Sequence, residues 1–172
     1  MFNRIKELTT KFKYKPDQNK NHFELNPGSF KLKESGFPEH KKMMKETIMT
    51  TPLNTDAGID IPLICGAMYP CSNPELVAAV SDAGGLGIIQ PVSLTYVHKY
   101  DLREGIRLIR SLTDKPVGFN ALIEASSKAY ARRMREWVDI ALAEGVRFFI
   151  TALGNPSWVV DAVHAAGGKV YH

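Results

Sequence analysis

The stretch Asn73-Pro74-Glu75-Leu76-Val77-Ala78-Ala79-Val80-Ser81-Asp82-Ala83-Gly84-Gly85-Leu86-Gly87-Ile88-Ile89-Gln90-Pro91 carries a helix start, a helix stop and a strand in succession. Asn73 is a favourable N-cap, Pro74 suits the first helical position, and Glu75 sits at the positive end of the helix dipole. Leu76, Val77, Ala79 and Val80 supply the predicted buried face, and Gly84-Gly85 ends the helix. Leu86 to Ile89 is then a short unbroken apolar run, the pattern of a strand covered on both faces in a parallel sheet. The same glycines, with Gly87, resemble a phosphate loop only superficially. They precede a strand, whereas phosphate loops follow a strand and open a helix.

Working outward, the same unit recurs. Pro62-Leu63-Ile64-Cys65, Pro116 to Leu122, Val146 to Ile150 and Lys169-Val170-Tyr171 are further apolar runs. Asn155-Pro156 repeats the helix start, Val159, Val160 and Val163 the face, and Gly167-Gly168 the stop. Two longer helices are predicted over Leu102 to Leu112, with an Ile106, Ile109 and Leu112 stripe, and over Tyr130 to Ala143, with Met134, Trp137, Val138, Ala141 and Leu142 facing inward. Arg132, Arg133 and Arg135 fall off that stripe and read as a solvated face. Strands starting at 62, 86, 116, 146 and 169 are 24, 30, 30 and 23 residues apart, the spacing of βαβ units with parallel strands. Periodicity fits either a doubly wound sheet or part of a barrel.

The 172 residues are 44% hydrophobic and 23% charged, an ordinary globular composition. No apolar run approaches the length of a membrane span, and the first ten residues hold no secretory apolar core. Cys65 and Cys71 match no metal or redox spacing and read as reduced thiols in a cytoplasmic protein. Charge is uneven: residues 1–50 hold 11 Lys+Arg against 6 Asp+Glu, a balance of +5, and the remainder carries −1. These lysines are scattered rather than clustered, so residues 1–51 read as a basic, poorly ordered extension and not as a nucleic-acid site. Within it, Phe2, Ile5, Leu8 and Phe12 would share one side of a short helix. Residues 52–172 form the α/β domain.

In either α/β architecture ligands meet the C-terminal ends of the strands. Those ends are Gly66-Ala67-Met68, Gln90-Pro91, Asn120-Ala121 and Thr151-Ala152-Leu153-Gly154, poor in acids and bases and rich in small residues and amides. Such a set can seat a planar redox cofactor that brings the reactivity itself. Gly66 and Ala67 let the main chain approach a ring, Met68 packs beside it, and Gln90 and Asn120 each offer a donor and an acceptor. The same small residues also suit tight βα turns without a cofactor.

The segments Pro62 to Met68, Asn73 to Gly87, Lys115 to Asn120 and Gly154-Asn155-Pro156 together resemble the nitronate monooxygenase (2-nitropropane dioxygenase) family over about residues 60–172. The resemblance implies an FMN-binding (β/α)8 TIM barrel that oxidises alkyl nitronates with dioxygen. It is similar as well to the related FMN-dependent enoyl-[acyl-carrier-protein] reductases. It implies that Gly66, Ala67 and Met68 contact the isoalloxazine, with Gln90 and Asn120 reaching it from neighbouring strands. The family's catalytic histidine, in an Ala-Gly-Gly-His stretch after the sixth strand, and its phosphate loops after the seventh and eighth have no match here. His98, His164 and His172 do not fit that motif and read as surface or loop histidines. The expectation is therefore an incomplete barrel, strands one to about five, with no catalytic side chain and no metal of its own. An open barrel should leave its inward apolar side chains uncovered. Self-association, a complementing C-terminal half, or a non-catalytic half barrel are the corresponding expectations.

Overall fold

The computed structural model describes residues 50–124 and 127–172. The reading of residues 1–49, including the helix through Phe2, Ile5, Leu8 and Phe12, lies outside the described residues. The elements run α1 (Pro52–Ala57), β1 (Ile64–Cys65), α2 (Pro74–Asp82), β2 (Leu86–Ile89), a π-helical turn (Ser93–Val97), α3 (Leu102–Leu112), β3 (Val117–Ile123), α4 (Lys128–Ala143), β4 (Phe148–Leu153), α5 (Ser157–Ala165) and β5 (Lys169–Tyr171). All four strand pairings are parallel, and the order in the sheet is β1-β2-β3-β4-β5. A doubly wound sheet reverses its order at a switch point, whereas a barrel adds each strand beside the last. The sheet is the arc of an incomplete (β/α) barrel.

Local chemistry explains the boundaries. Asn73 Oδ1 accepts from the Leu76 amide at 2.8 Å, and Gly84 takes a left-handed φ of 93° to leave the helix. The buried face of α2 is Pro74, Val77, Ala78 and Ser81, with Ala79 exposed, so the predicted face is rotated. Gly87 is the cause. A Cβ there would lie 2.1 Å from the Val77 carbonyl oxygen, so helix and strand touch backbone to backbone at Val77. That approach turns Ser81 inward, where its hydroxyl donates to Pro116 O at 2.8 Å and accepts from the Gly87 amide at 3.2 Å. In α3, Leu112 is exposed, and Leu102, Gly105, Ile106 and Ile109 form the buried stripe. Leu112 is the last helical residue, and buried Thr113, bonded to Asp82, supplies the contact there instead. The start of α5 also shifts: Pro156 precedes the helix, and Asn155 Oδ1 caps the Ser157 amide at 3.0 Å.

Alternate strand residues face two cores. The outward set, including Ile89, Phe119 and Phe149, packs beneath α3, α4 and α5. Of the inward side chains, Leu86, Ile88 and Phe148 are no more than 3% exposed, while Ile64 and Ile150 are only partly buried. The expected loss of cover is therefore not what this end of the arc shows. Ala57 and Ile59, with Leu53, close over these side chains from the N-terminal ends of the strands. Asp56 ties this floor to β5 by a 2.9 Å hydrogen bond from the Tyr171 hydroxyl and a 3.5 Å ion pair with Lys169.

Candidate functional site

The C-terminal ends of the strands form the crest of the arc. Gly66, Ala67 and Met68 follow β1 directly. A Cβ on Gly66 would meet nothing within 4 Å, so open space lies over this main chain. Ala67 packs its methyl on the inward cluster, and Met68 is exposed. Gln90 lies one residue past β2, and Asn120 lies within β3, which continues to Ile123. Asn120 is thus not a strand end as the sequence suggested, yet it borders the crest because β2 is the shorter strand. Its Nδ2 donates to Gln90 Oε1 at 3.4 Å. That contact leaves the Gln90 amino group and the Asn120 carbonyl oxygen as an adjacent donor and acceptor.

The loops bearing these residues are held by buried hydroxyls. The Met68 amide donates to Ser72 Oγ at 2.9 Å, the Ser72 amide donates to Met68 O at 2.8 Å, and Ser93 Oγ donates to the same oxygen at 3.3 Å. Ser72 is 4% exposed and Ser93 fully buried. His98, ending the π-helical turn, donates from Nε2 to Pro70 O at 3.2 Å and so ties two loops. His172 Nδ1 lies 2.9 Å from Thr151 Oγ1, and His164 is exposed on α5.

Other crest features escaped the sequence reading. Leu153, at the end of β4, is exposed with φ of 72°, a left-handed conformation that is an outlier for a bulky side chain. Arg133 contacts the Tyr96 hydroxyl, and Arg135 lies 4.3 Å over the Trp158 ring, so two of the three arginines rest on aromatic groups beside the crest. Burial, and then the Glu124 carboxylate, push the Tyr130 phenol above its ordinary value. A cleft of about 300 Å³ lies between Asp56, Arg110, Asp114, Arg147 and Phe148, at the floor and not the crest. Both cysteines are free thiols. Among the described residues no cluster of His, Cys, Asp or Glu could hold a metal ion, and no helix is long and apolar enough to cross a membrane.

An arc of parallel βα units with helices packed on its outer face defines the (β/α) barrel class of protein. Residues 50–167 match the nitronate monooxygenase family, and the chain belongs to that family. It is 40% identical over 91 residues to a nitronate monooxygenase of Pseudomonas aeruginosa, covering 53% of this chain and 25% of that protein. It is 31% identical over 119 residues to a (3aS,4S,5R,7aS)-5-hydroxy-7a-methyl-1-oxo-octahydro-1H-indene-4-carboxyl-CoA dehydrogenase of Rhodococcus jostii, covering 69% and 31%. Among solved structures, FabK from Thermotoga maritima superposes with a TM-score of 0.56 at 29% identity, covering 70% of this chain and 36% of that one. A nitroalkane oxidase from Streptomyces ansochromogenes, at 18% identity and a TM-score of 0.53, shares the fold. The chain spans a quarter to a third of the length of these curated relatives.

Proposed function

We propose that this chain is the flavin-seating part of an FMN-dependent oxidoreductase whose complete barrel oxidises alkyl nitronates with dioxygen. The observation that carries the reading is the crest: open main chain at Gly66 beside the paired amides of Gln90 and Asn120. The amino group of Gln90 and the carbonyl oxygen of Asn120 form a donor–acceptor pair, and the imide edge of an isoalloxazine needs such a pair. Gly66 and Ala67 allow the ring to lie against backbone, and the Met68 thioether supplies an apolar wall. These residues fit the group. When bound, FMN supplies the electron-accepting ring that the crest itself lacks. The chain's own part is to orient that ring and exclude water from its inner face. The family's flavin dependence and the Pseudomonas aeruginosa relative support the assignment.

Enoyl-thioester reduction is the second reading, favoured by the likeness to FabK. Two free thiols suit a cytoplasmic setting.

Titrating FMN into the purified chain tests the seating role. Quenching of flavin fluorescence at a 1:1 ratio is expected, and a chain that leaves the fluorescence unchanged overturns it. In the complete barrel, oxygen uptake with propyl nitronate, set against NADH oxidation with an enoyl thioester, separates the two chemistries.

A further inference from the structure

We propose that Ser72 and Ser93 are positioning residues, Ser72 fixing the fold of the loop after β1 around Met68 and Ser93 latching that loop to the turn after β2, so that Gly66–Met68 and Gln90 meet a ligand as one rigid wall. The inference rests on the flavin-seating reading but uses different atoms. Met68 is bound from both sides of its peptide. Its amide is taken by Ser72 Oγ, and its carbonyl accepts from the Ser72 amide and from Ser93 Oγ. The Met68 main chain therefore has no amide hydrogen left for a ring. Gly66 and Ala67 supply the available backbone, and Met68 acts through its exposed side chain.

Ser93 opens the π-helical turn three residues after Gln90, so its bond to Met68 spans two neighbouring strand ends. A second tie, His98 Nε2 to Pro70 O, closes the far side of the same junction. The turn itself is anchored by Thr95 Oγ1 donating to Pro91 O at 2.7 Å and by the Leu94 amide donating to Gln90 O at 3.0 Å. A hydroxyl buried in an apolar wall is kept only where its hydrogen bonds are made: removing Ser72 Oγ leaves the Met68 amide without its acceptor, and removing Ser93 Oγ takes one donor from the Met68 carbonyl. Pre-organised walls of this kind raise affinity by removing the ordering cost that a mobile loop imposes. Ser81 is an internal comparison. It is equally buried and doubly bonded, but it joins α2 to β2 and β3 away from the crest.

The test compares Ser72→Ala, Ser93→Ala and Ser81→Ala in the full chain, read by FMN titration, thermal melting and hydrogen–deuterium exchange of residues 66–72. For the two latch variants we expect at least tenfold faster exchange in 66–72 and about tenfold weaker FMN binding. Ser81→Ala should lower the melting temperature while leaving exchange at 66–72 and FMN affinity as in the parent. Latch variants with parental exchange at 66–72, or FMN losses that simply track melting temperature across all three serines, overturn the latch. A parent chain that binds no FMN overturns the seating role instead, and exchange at 66–72 then decides the latch alone.

Discussion

At the residue scale, Gly66 allows folding to be tested apart from the proposed ligand seating. Nothing stands within 4 Å of where its Cβ would be, and its φ is not in the left-handed region. Gly66→Val should leave the melting temperature almost unchanged, because it removes no contact and strains no backbone. The same isopropyl group would project into the space where a ring is to lie, so FMN binding should fall by at least a hundredfold. A variant that melts as the parent and still binds FMN would show that the ring lies elsewhere. The amide pair makes the complementary case. Gln90→Ala and Asn120→Ala each remove about one useful hydrogen bond, on the order of 1 kcal/mol or roughly fivefold to tenfold in affinity. Because the two amides bond to each other, the double variant should lose less than the sum of the single losses. The place of these residues at or beside the C-terminal ends of the strands was legible in the sequence, from the spacing of the βα units. Their bonding was not. Nothing in the order of residues shows that Asn120 donates to Gln90, or that Ser93 reaches back across 25 positions to Met68.

At the element scale, helix ends were readable because caps and stops are made by adjacent residues, as Asn73 and Gly84 show. Helix rotation was not readable, because it is set by what the helix lies on. The exposure of Ala79 follows from a backbone contact between Val77 and Gly87, ten residues apart in sequence and in different elements. Gly87→Ala should therefore cost about 1–3 kcal/mol, the usual penalty for forcing atoms into a closed contact. Thermal or urea unfolding measures it, and an undiminished midpoint would mean α2 can lift without loss. Helices α3 and α4 are joined differently, by Arg103 and Arg107 converging on Glu144 at the end of α4. The hydrogen bond from Arg107, opposed by partial desolvation and reinforced by Arg103, holds the Glu144 carboxyl below its ordinary value of 4.5. A carboxylate lowered in the folded state contributes stability above its ordinary value, and that contribution is lost as pH falls through the folded value. Glu144→Gln should therefore melt below the parent at pH 7, with the gap closing as the pH is taken below 4.5. A gap independent of pH would show that shape, not charge, carries the contact.

At the scale of the whole arc, what decides stability is how the inward face is covered. An open (β/α) barrel would expose that face, yet Leu86, Ile88 and Phe148 are buried by the short segment from Leu53 to Ile59. Six helical residues offer too little length for a periodic signal, so α1 was hidden in the sequence. Its local marks were present, though: Thr51 before Pro52 at the start, and Gly58 with φ of 68° at the stop. Asn54 then holds the following turn, accepting from the Thr51 amide at 2.8 Å and donating to the Ile59 and Asp60 carbonyls at 3.0 Å. This staple delivers Ile59, 7% exposed, onto the inward cluster. Ile59→Ala should remove about 2–5 kcal/mol, the range for a large-to-small change in a closed core. That is a large share of the roughly 5–15 kcal/mol that stabilises an ordinary domain. The same variant should bind a dye such as anilinonaphthalene sulfonate, because water gains access to Leu86, Ile88 and Phe148. Unchanged melting with no dye binding would mean the inward face is covered by something other than this floor.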